Sequence, residues 1–138
     1  VVDDYGHHPT EIEATVAAAR ASFPRARLVA AFQPHLFSRT RDFHEAFGNA
    51  LAAADVVWVT DVFPARERPV PGITGAMVAE AAERAGAADV RYHPLLDGLP
   101  AALVEALEAG DVLLTLGAGS VERLGGEVLR LLEDRAHA

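Results

Sequence analysis

Two carboxylates, a phenol and two imidazoles crowd into the segment Asp3-Asp4-Tyr5-Gly6-His7-His8-Pro9. Asp accepts hydrogen bonds from hydroxyl and amine groups, and His donates to carboxylate or phosphate oxygens, so the cluster suits a polar organic ligand. The same residue types ligate zinc or manganese, and Asp3, Asp4, His7 and His8 would be the donor set of a metal-dependent hydrolase. A plainer role is a strand-to-helix turn in which Asp and His cap the helix and Gly6 supplies a positive φ. One cap needs one polar residue, which leaves most of this cluster unexplained. No further acidic or His cluster at helical ligand spacing supports a metal, so an organic ligand is the expected occupant and no metal site is assigned.

A second group lies in Gln33-Pro34-His35-Leu36-Phe37-Ser38-Arg39-Thr40-Arg41. Arg39 offers a planar fork suited to a carboxylate, with His35 beside it as donor or acceptor, so an amino acid or a phosphate could be held here. Either Ser38 or Thr40 would cap the following helix, whose N-terminus favours an anion as well. The i, i+4 spacing pairs Arg41 with Glu45 as a solvated helix residue. A third group, Gly117-Ala118-Gly119-Ser120, resembles a phosphate-cradling turn. It lacks the third glycine of a dinucleotide fingerprint and the Gly-Lys-Ser/Thr of a P-loop, and close helix packing would explain it as well. His44, His93 and His137 stand alone, and Trp58 reads as core.

Elements must bring these groups together. Short, continuously apolar runs predict strands at Val1 to Asp3, Arg27 to Phe32, Val56 to Val62, Val90 to Tyr92 and Val112 to Leu116, alternating with segments of helical spacing. Such strands are covered on both faces, so the expected class is α/β: three layers, a mostly parallel sheet with helices on both sides, in one domain. The first helix starts near Pro9, with Thr10 and Glu13 as a capping box, and stops at Pro24. The second spans about Thr40 to Ala53, with Phe43, Phe47 and Leu51 as its inward stripe. A third follows Thr74 and closes on Gly86, and a fourth runs from Asp97 to Gly110 with Pro100 in its first turn. The fifth follows Gly117–Ser120. Pro64 to Gly72 is the longest irregular stretch, with Arg66, Glu67 and Arg68 inside it, and long loops in compact domains are often functional. Ligands of such sheets sit beyond the carboxyl ends of the strands, where most of the His and several Arg of this chain fall.

Composition bounds the chemistry. The 138 residues suffice for one domain with a real core. Half are hydrophobic, yet no run of about 18 apolar residues occurs, which excludes a membrane span and a disordered tail alike. There is no cysteine, and all twelve basic residues are Arg. Thiolate nucleophiles, Schiff bases and the phosphate-loop lysine are therefore excluded. A net charge of -8 argues against a nucleic-acid partner but not against a small anion held by Arg. The chain opens on Val1 with no charged and apolar leader, and is expected to be a piece of a longer protein.

Four ordered motifs, DDYGHHPTEI, FQPHLFSRTRDF, DVFPARERPVPGITG and GDVLLTLGAGSV, each near a strand end, resemble the C-terminal domain of the Mur ligases over essentially the whole chain. The Gln-Pro-His-x-x-Ser-Arg-Thr run resembles the alanine-adding branch. The resemblance implies a Rossmann-like domain that closes over an N-terminal UDP-sugar domain and a central domain holding ATP and Mg2+. It implies a cytoplasmic enzyme that phosphorylates the carboxylate of UDP-N-acetylmuramate and lets the amine of L-alanine attack the acyl phosphate. Carried over, Asp4 would meet the ATP ribose, and Tyr5, His7, His35 and Arg39 would surround L-alanine. Asp3 and His8 would support them. Many family members carry Arg where this chain has Leu36, so the role of that Arg is either dispensable here or taken by a neighbour such as Arg41. Alone, the domain is expected to be inert. The alternatives are a recycling ligase that adds a preformed peptide to the same sugar nucleotide, the metal-dependent hydrolase, and a non-catalytic binding module.

Overall fold

The computed structural model describes residues 1–137. Five strands, β1 (Val2–Asp4), β2 (Leu28–Phe32), β3 (Val56–Val59), β4 (Val90–Tyr92) and β5 (Val112–Leu116), form one sheet in the order β1-β5-β2-β3-β4. Every pairing is parallel. The helices are α1 (Pro9–Ser22), α2 (Phe37–Leu51), α3 (Ala76–Arg84), α4 (Leu99–Ala106) and α5 (Leu124–Ala136), the last entered through a 3-10 turn at Ser120–Arg123.

Strand pleating sends successive side chains to opposite faces, and the two cores follow that alternation. Leu28, Ala30 and Phe32 of β2 pack with Ile12, Val16, Phe47 and Val78, so α1, α2 and α3 cover one face. Val29 and Ala31 pack with Leu99, Leu103, Val121 and Val128, so α4 and α5 cover the other. All of β2 is buried, which is why it reads as an uninterrupted apolar run. At the amino ends of the strands, Arg27 grips Asp111 with two bonds, Nε to Oδ1 at 3.1 Å and Nη2 to Oδ2 at 2.7 Å. That fork ties the start of β2 to the start of β5.

Several local expectations change. β3 ends at Val59 rather than Val62, because Asp61 Oδ1 accepts the N–H groups of Val62 (3.0 Å) and Gly75 (3.1 Å) and turns the chain away from the sheet. The first helix is capped by Glu11, whose Oε1 accepts the N–H groups of His7 (3.3 Å) and His8 (3.1 Å), not by the Thr10 and Glu13 pair. Phe43 is 39% exposed and lies against His8, ring centres 5.4 Å apart, instead of joining the core. Arg41 bonds its neighbour Asp42 at 3.0 Å, and Glu45 takes Arg84 from α3 instead. The fourth helix stops at Ala106, short of Gly110.

The helix that carries Arg39 is seated by Gly48. A Cβ there would lie 2.5 Å from the backbone of Ala81 and 2.6 Å from the amide nitrogen of Ala82, so α2 and α3 touch backbone to backbone. Gly48→Ala is expected to lose about 1–3 kcal/mol through overpacking, despite the better helix propensity of Ala. Urea unfolding of the domain measures the loss.

Candidate functional site at the carboxyl ends of β1, β2 and β3

The strand order creates the site. β5 lies between β1 and β2. The chain leaves β1 and β2 toward helices on one face, and leaves β5 toward α5 on the other. Loops that part in this way open a crevice at the carboxyl edge. Gln33 fills its floor. Only 5% exposed, it donates from Nε2 to Ser120 Oγ (3.1 Å) and accepts the N–H of Val121 at Oε1 (3.0 Å). A Cβ on Gly119 would fall 2.6 Å from the Phe63 ring and 2.8 Å from Gln33 Oε1. The two glycines thus allow the Gly117–Ser120 turn to pack closely on Phe63 and Gln33, which accounts for them without a phosphate.

Above that floor four side chains converge. Arg39 Nη1 lies 3.2 Å from His35 Nδ1. A guanidinium can only donate, so Nδ1 accepts and the neutral imidazole carries its proton on Nε2, facing away as a donor. The His35 ring stacks on Phe63 at 5.6 Å and 18°, and His7 is 5.9 Å away. His7 Nδ1 lies 3.3 Å from the carbonyl oxygen of Tyr5, so in the neutral ring it donates there and leaves Nε2 as an acceptor. Tyr5 meets His7 edge-on at 5.7 Å and is 64% exposed. The edge of the crevice thus offers a cation, a donor imidazole, an acceptor imidazole and a phenol.

The structure separates the rest of the first cluster from this edge. Asp3 accepts from Thr115 Oγ1 at 2.6 Å on the α5 side. Asp4 turns to the α1 side, where it accepts from Thr15 Oγ1 and from the N–H of Gly6 at 3.2 Å. Neighbouring positions on a strand face opposite ways, so the hydrolase donor set of Asp3, Asp4, His7 and His8 does not converge. Among the described residues, no group of three or more His, Cys, Asp or Glu could hold a metal ion. His8 precedes α1 and leans on Phe43, and Arg41 points to solvent. Outside the site, His44 and His93 bond backbone carbonyls of Arg41 (2.9 Å) and Leu95 (2.7 Å). A groove of about 760 Å³ between α1 and α2 holds no comparable chemistry, since its Arg20 is already bound to Asp55 at 2.8 Å.

Two contributors escaped the sequence reading, Phe63 and Glu67. Glu67 accepts from the Ser38 N–H at 3.1 Å and from the Ser38 hydroxyl, and these bonds hold its carboxyl below the usual range. The length of the Pro64–Gly72 loop marked the region but not the residues.

The family model for the Mur ligase, glutamate ligase domain matches residues 1–119. The chain belongs to the Mur ligase family. It is 53% identical over 137 residues to the UDP-N-acetylmuramate–L-alanine ligase of Cutibacterium acnes, covering 99% of this chain and 29% of that protein. The chain therefore spans less than a third of the length of this curated relative. Among solved structures, the UDP-N-acetylmuramate–alanine ligase of Thermotoga maritima superposes with a TM-score of 0.74 at 24% identity, over 96% of this chain and 26% of that one. A murein peptide ligase from Psychrobacter arcticus superposes at 0.69 and 20% identity, over 94% of this chain and 26% of that one. The Rossmann-like architecture is thus shared with known Mur ligases, and the edge that carries His7, His35 and Arg39 belongs to a Mur ligase domain.

Burial, with help from the charge of Arg39, pushes the His35 imidazole below its ordinary value. The folded state therefore binds fewer protons here than the unfolded chain. The stabilisation this gives is full above about pH 6.5 and is lost as pH falls through the lowered folded value. Imidazole 15N shifts are expected to report an Nε2–H tautomer at pH 7 and a midpoint below about 6.5. A midpoint at or above that value would contradict the burial of His35 beside Arg39, and an Nδ1–H tautomer would contradict the Arg39 bond.

Proposed function

We propose that this domain supplies the amino-acid site of an ATP-dependent ligase that joins L-alanine to UDP-N-acetylmuramate in peptidoglycan precursor synthesis. The observation that carries the reading is the Arg39–His35 pair, a fixed cation beside a neutral donor imidazole at the carboxyl edge of the sheet. It sits in a chain 53% identical to a ligase named for these two substrates. A guanidinium held in place by a neighbour loses little freedom when it grips a carboxylate, and its planar fork matches both oxygens.

Each residue then takes a role. Arg39 and the Nε2–H of His35 bind the carboxylate of L-alanine. His7 Nε2, the free acceptor, takes a proton from the ammonium so that the amine can attack the activated carbonyl, and Tyr5 covers the side of the amino acid. The new C–N bond gives a tetrahedral intermediate, which collapses as the C–O bond to phosphate breaks; phosphate leaves with that electron pair and takes up the second proton of the amine. Asp4 retains acceptor capacity beyond its bonds to Thr15 and Gly6 and meets the ribose of ATP. Asp3 and His8 support the turn, and Arg41 stands at the rim.

Activation of the carboxylate lies outside this domain. No lysine is present, and the Gly117–Ser120 turn lacks the Gly-Lys-Ser/Thr of a P-loop and packs closely on Phe63 and Gln33. ATP, Mg2+ and the UDP-sugar would be held mainly by an N-terminal and a central domain of the longer protein, with this domain closing over them. Such substrates place the reaction in the cytoplasm. Addition of a preformed peptide, the recycling alternative, has less support, because the relative at 53% identity is named for L-alanine.

In the full-length ligase, Arg39→Ala is expected to raise the apparent KM for L-alanine on the order of thirtyfold, the scale of a lost charge-assisted pair, with the KM for ATP nearly unchanged. Steady-state kinetics with each substrate varied in turn provides the check. An unchanged KM for L-alanine would remove Arg39 from the site.

A further inference from the structure

The start of α2 is built against local preference. Its N-cap position is Leu36, whose side chain cannot accept a hydrogen bond, and whose backbone sits at φ 71°, ψ 135°. A bulky residue there is strained and persists only where its surroundings hold it. The only other non-glycine residue with positive φ is Ala65, at 52°, among the described residues. It lies in the loop that faces Leu36. Strain is therefore concentrated in two loops that meet at the site.

Three contacts join those loops. The N–H of Leu36 donates to the Phe63 carbonyl at 2.9 Å, and the N–H of Phe63 donates to the Pro34 carbonyl at 2.8 Å. These make a parallel bridge beyond the ends of β2 and β3. The Phe63 ring stacks on His35. Glu67 then receives the N–H and hydroxyl of Ser38. The first N–H groups of a helix have no partner within it, and here a carboxylate 29 residues away supplies one.

We propose that Glu67 is a positioning residue for amino-acid binding: by capping α2 from the facing loop it fixes the turn on which His35 and Arg39 meet. It touches no substrate and acts through the helix. His35 stands just before the cap and Arg39 in the first turn of the helix, so the 3.2 Å contact between them depends on the helix beginning at Phe37. Without Glu67 the strained Leu36 can relax, the first turn frays, and the Arg39 fork loses its fixed direction. This inference rests on the assignment of the L-alanine site to Arg39 and His35.

The test uses the full-length ligase with Glu67→Ala, Glu67→Gln and Arg39→Ala. Glu67→Ala is expected to raise the KM for L-alanine by about tenfold, the scale of one lost hydrogen bond to a charged group, with the KM for ATP unchanged. Glu67→Gln, which still accepts from Ser38, recovers most of that loss. A purely structural role would instead lower the melting temperature and the active fraction while leaving KM for L-alanine alone, and that result overturns the proposal. Should Arg39→Ala raise KM while Glu67→Ala does not, the positioning role falls and the site assignment stands. If neither variant changes the KM for L-alanine, the site assignment falls and the positioning role falls with it.

Discussion

The parallel bridge between His35 and Phe63 extends the pairing of β2 and β3 past the last strand residues, Phe32 and Val59. It is the constraint on which the carboxyl edge of the sheet depends. Two loops that would otherwise move independently are held as one surface, through two backbone hydrogen bonds, a stacked ring and the carboxylate of Glu67. Gln33 repeats the device on the other side, joining the β2 loop to the turn after β5. A residue in an unfavourable backbone conformation, Leu36, lies at the centre of this surface and is retained by it.

Most polar groups near the crevice are committed to that framework. Asp3, Asp4, Gln33, Ser38 and Glu67 all spend hydrogen bonds on neighbours within the domain. Among the described residues, the groups at the edge with capacity to spare are the remaining N–H groups of Arg39, Nε2 of His35, Nε2 of His7 and the Tyr5 hydroxyl, with Asp4 on the α1 side. A small set of this kind can orient a carboxylate and an amine. On the proposed reading, activation and presentation are divided between parts of the longer protein, and closure would complete the site.

The sequence reading succeeded where the controlling forces are local or periodic. β5 falls where its apolar run falls, β2 ends at Phe32 as read, and Pro9 opens α1. It went astray where a distant residue decides. α2 starts at Phe37 rather than Thr40 because its cap comes from Glu67, and Thr40 Oγ1 is left to bond the Leu36 carbonyl at 2.8 Å. β3 is short because Asp61 binds Gly75, fourteen residues on. The same holds for the site. Tyr5, His7, His35 and Arg39 could be named from their residue types and their place after strands, whereas Phe63 and Glu67 act through stacking and a long-range cap that no spacing encodes. In the double carboxylate, adjacent strand positions face opposite ways, which separates Asp3 from Asp4 and removes the hydrolase alternative that needed both.

The central claim is that His35 and Arg39 jointly hold the carboxylate of the amino acid. The most direct measurement is the crystal structure of the full-length ligase with L-alanine bound. It is expected to place a carboxylate oxygen about 2.7–3.2 Å from the Arg39 guanidinium and from His35 Nε2, with Arg39 still bonded to His35 Nδ1. L-alanine bound elsewhere, with Arg39 turned to solvent, would contradict it.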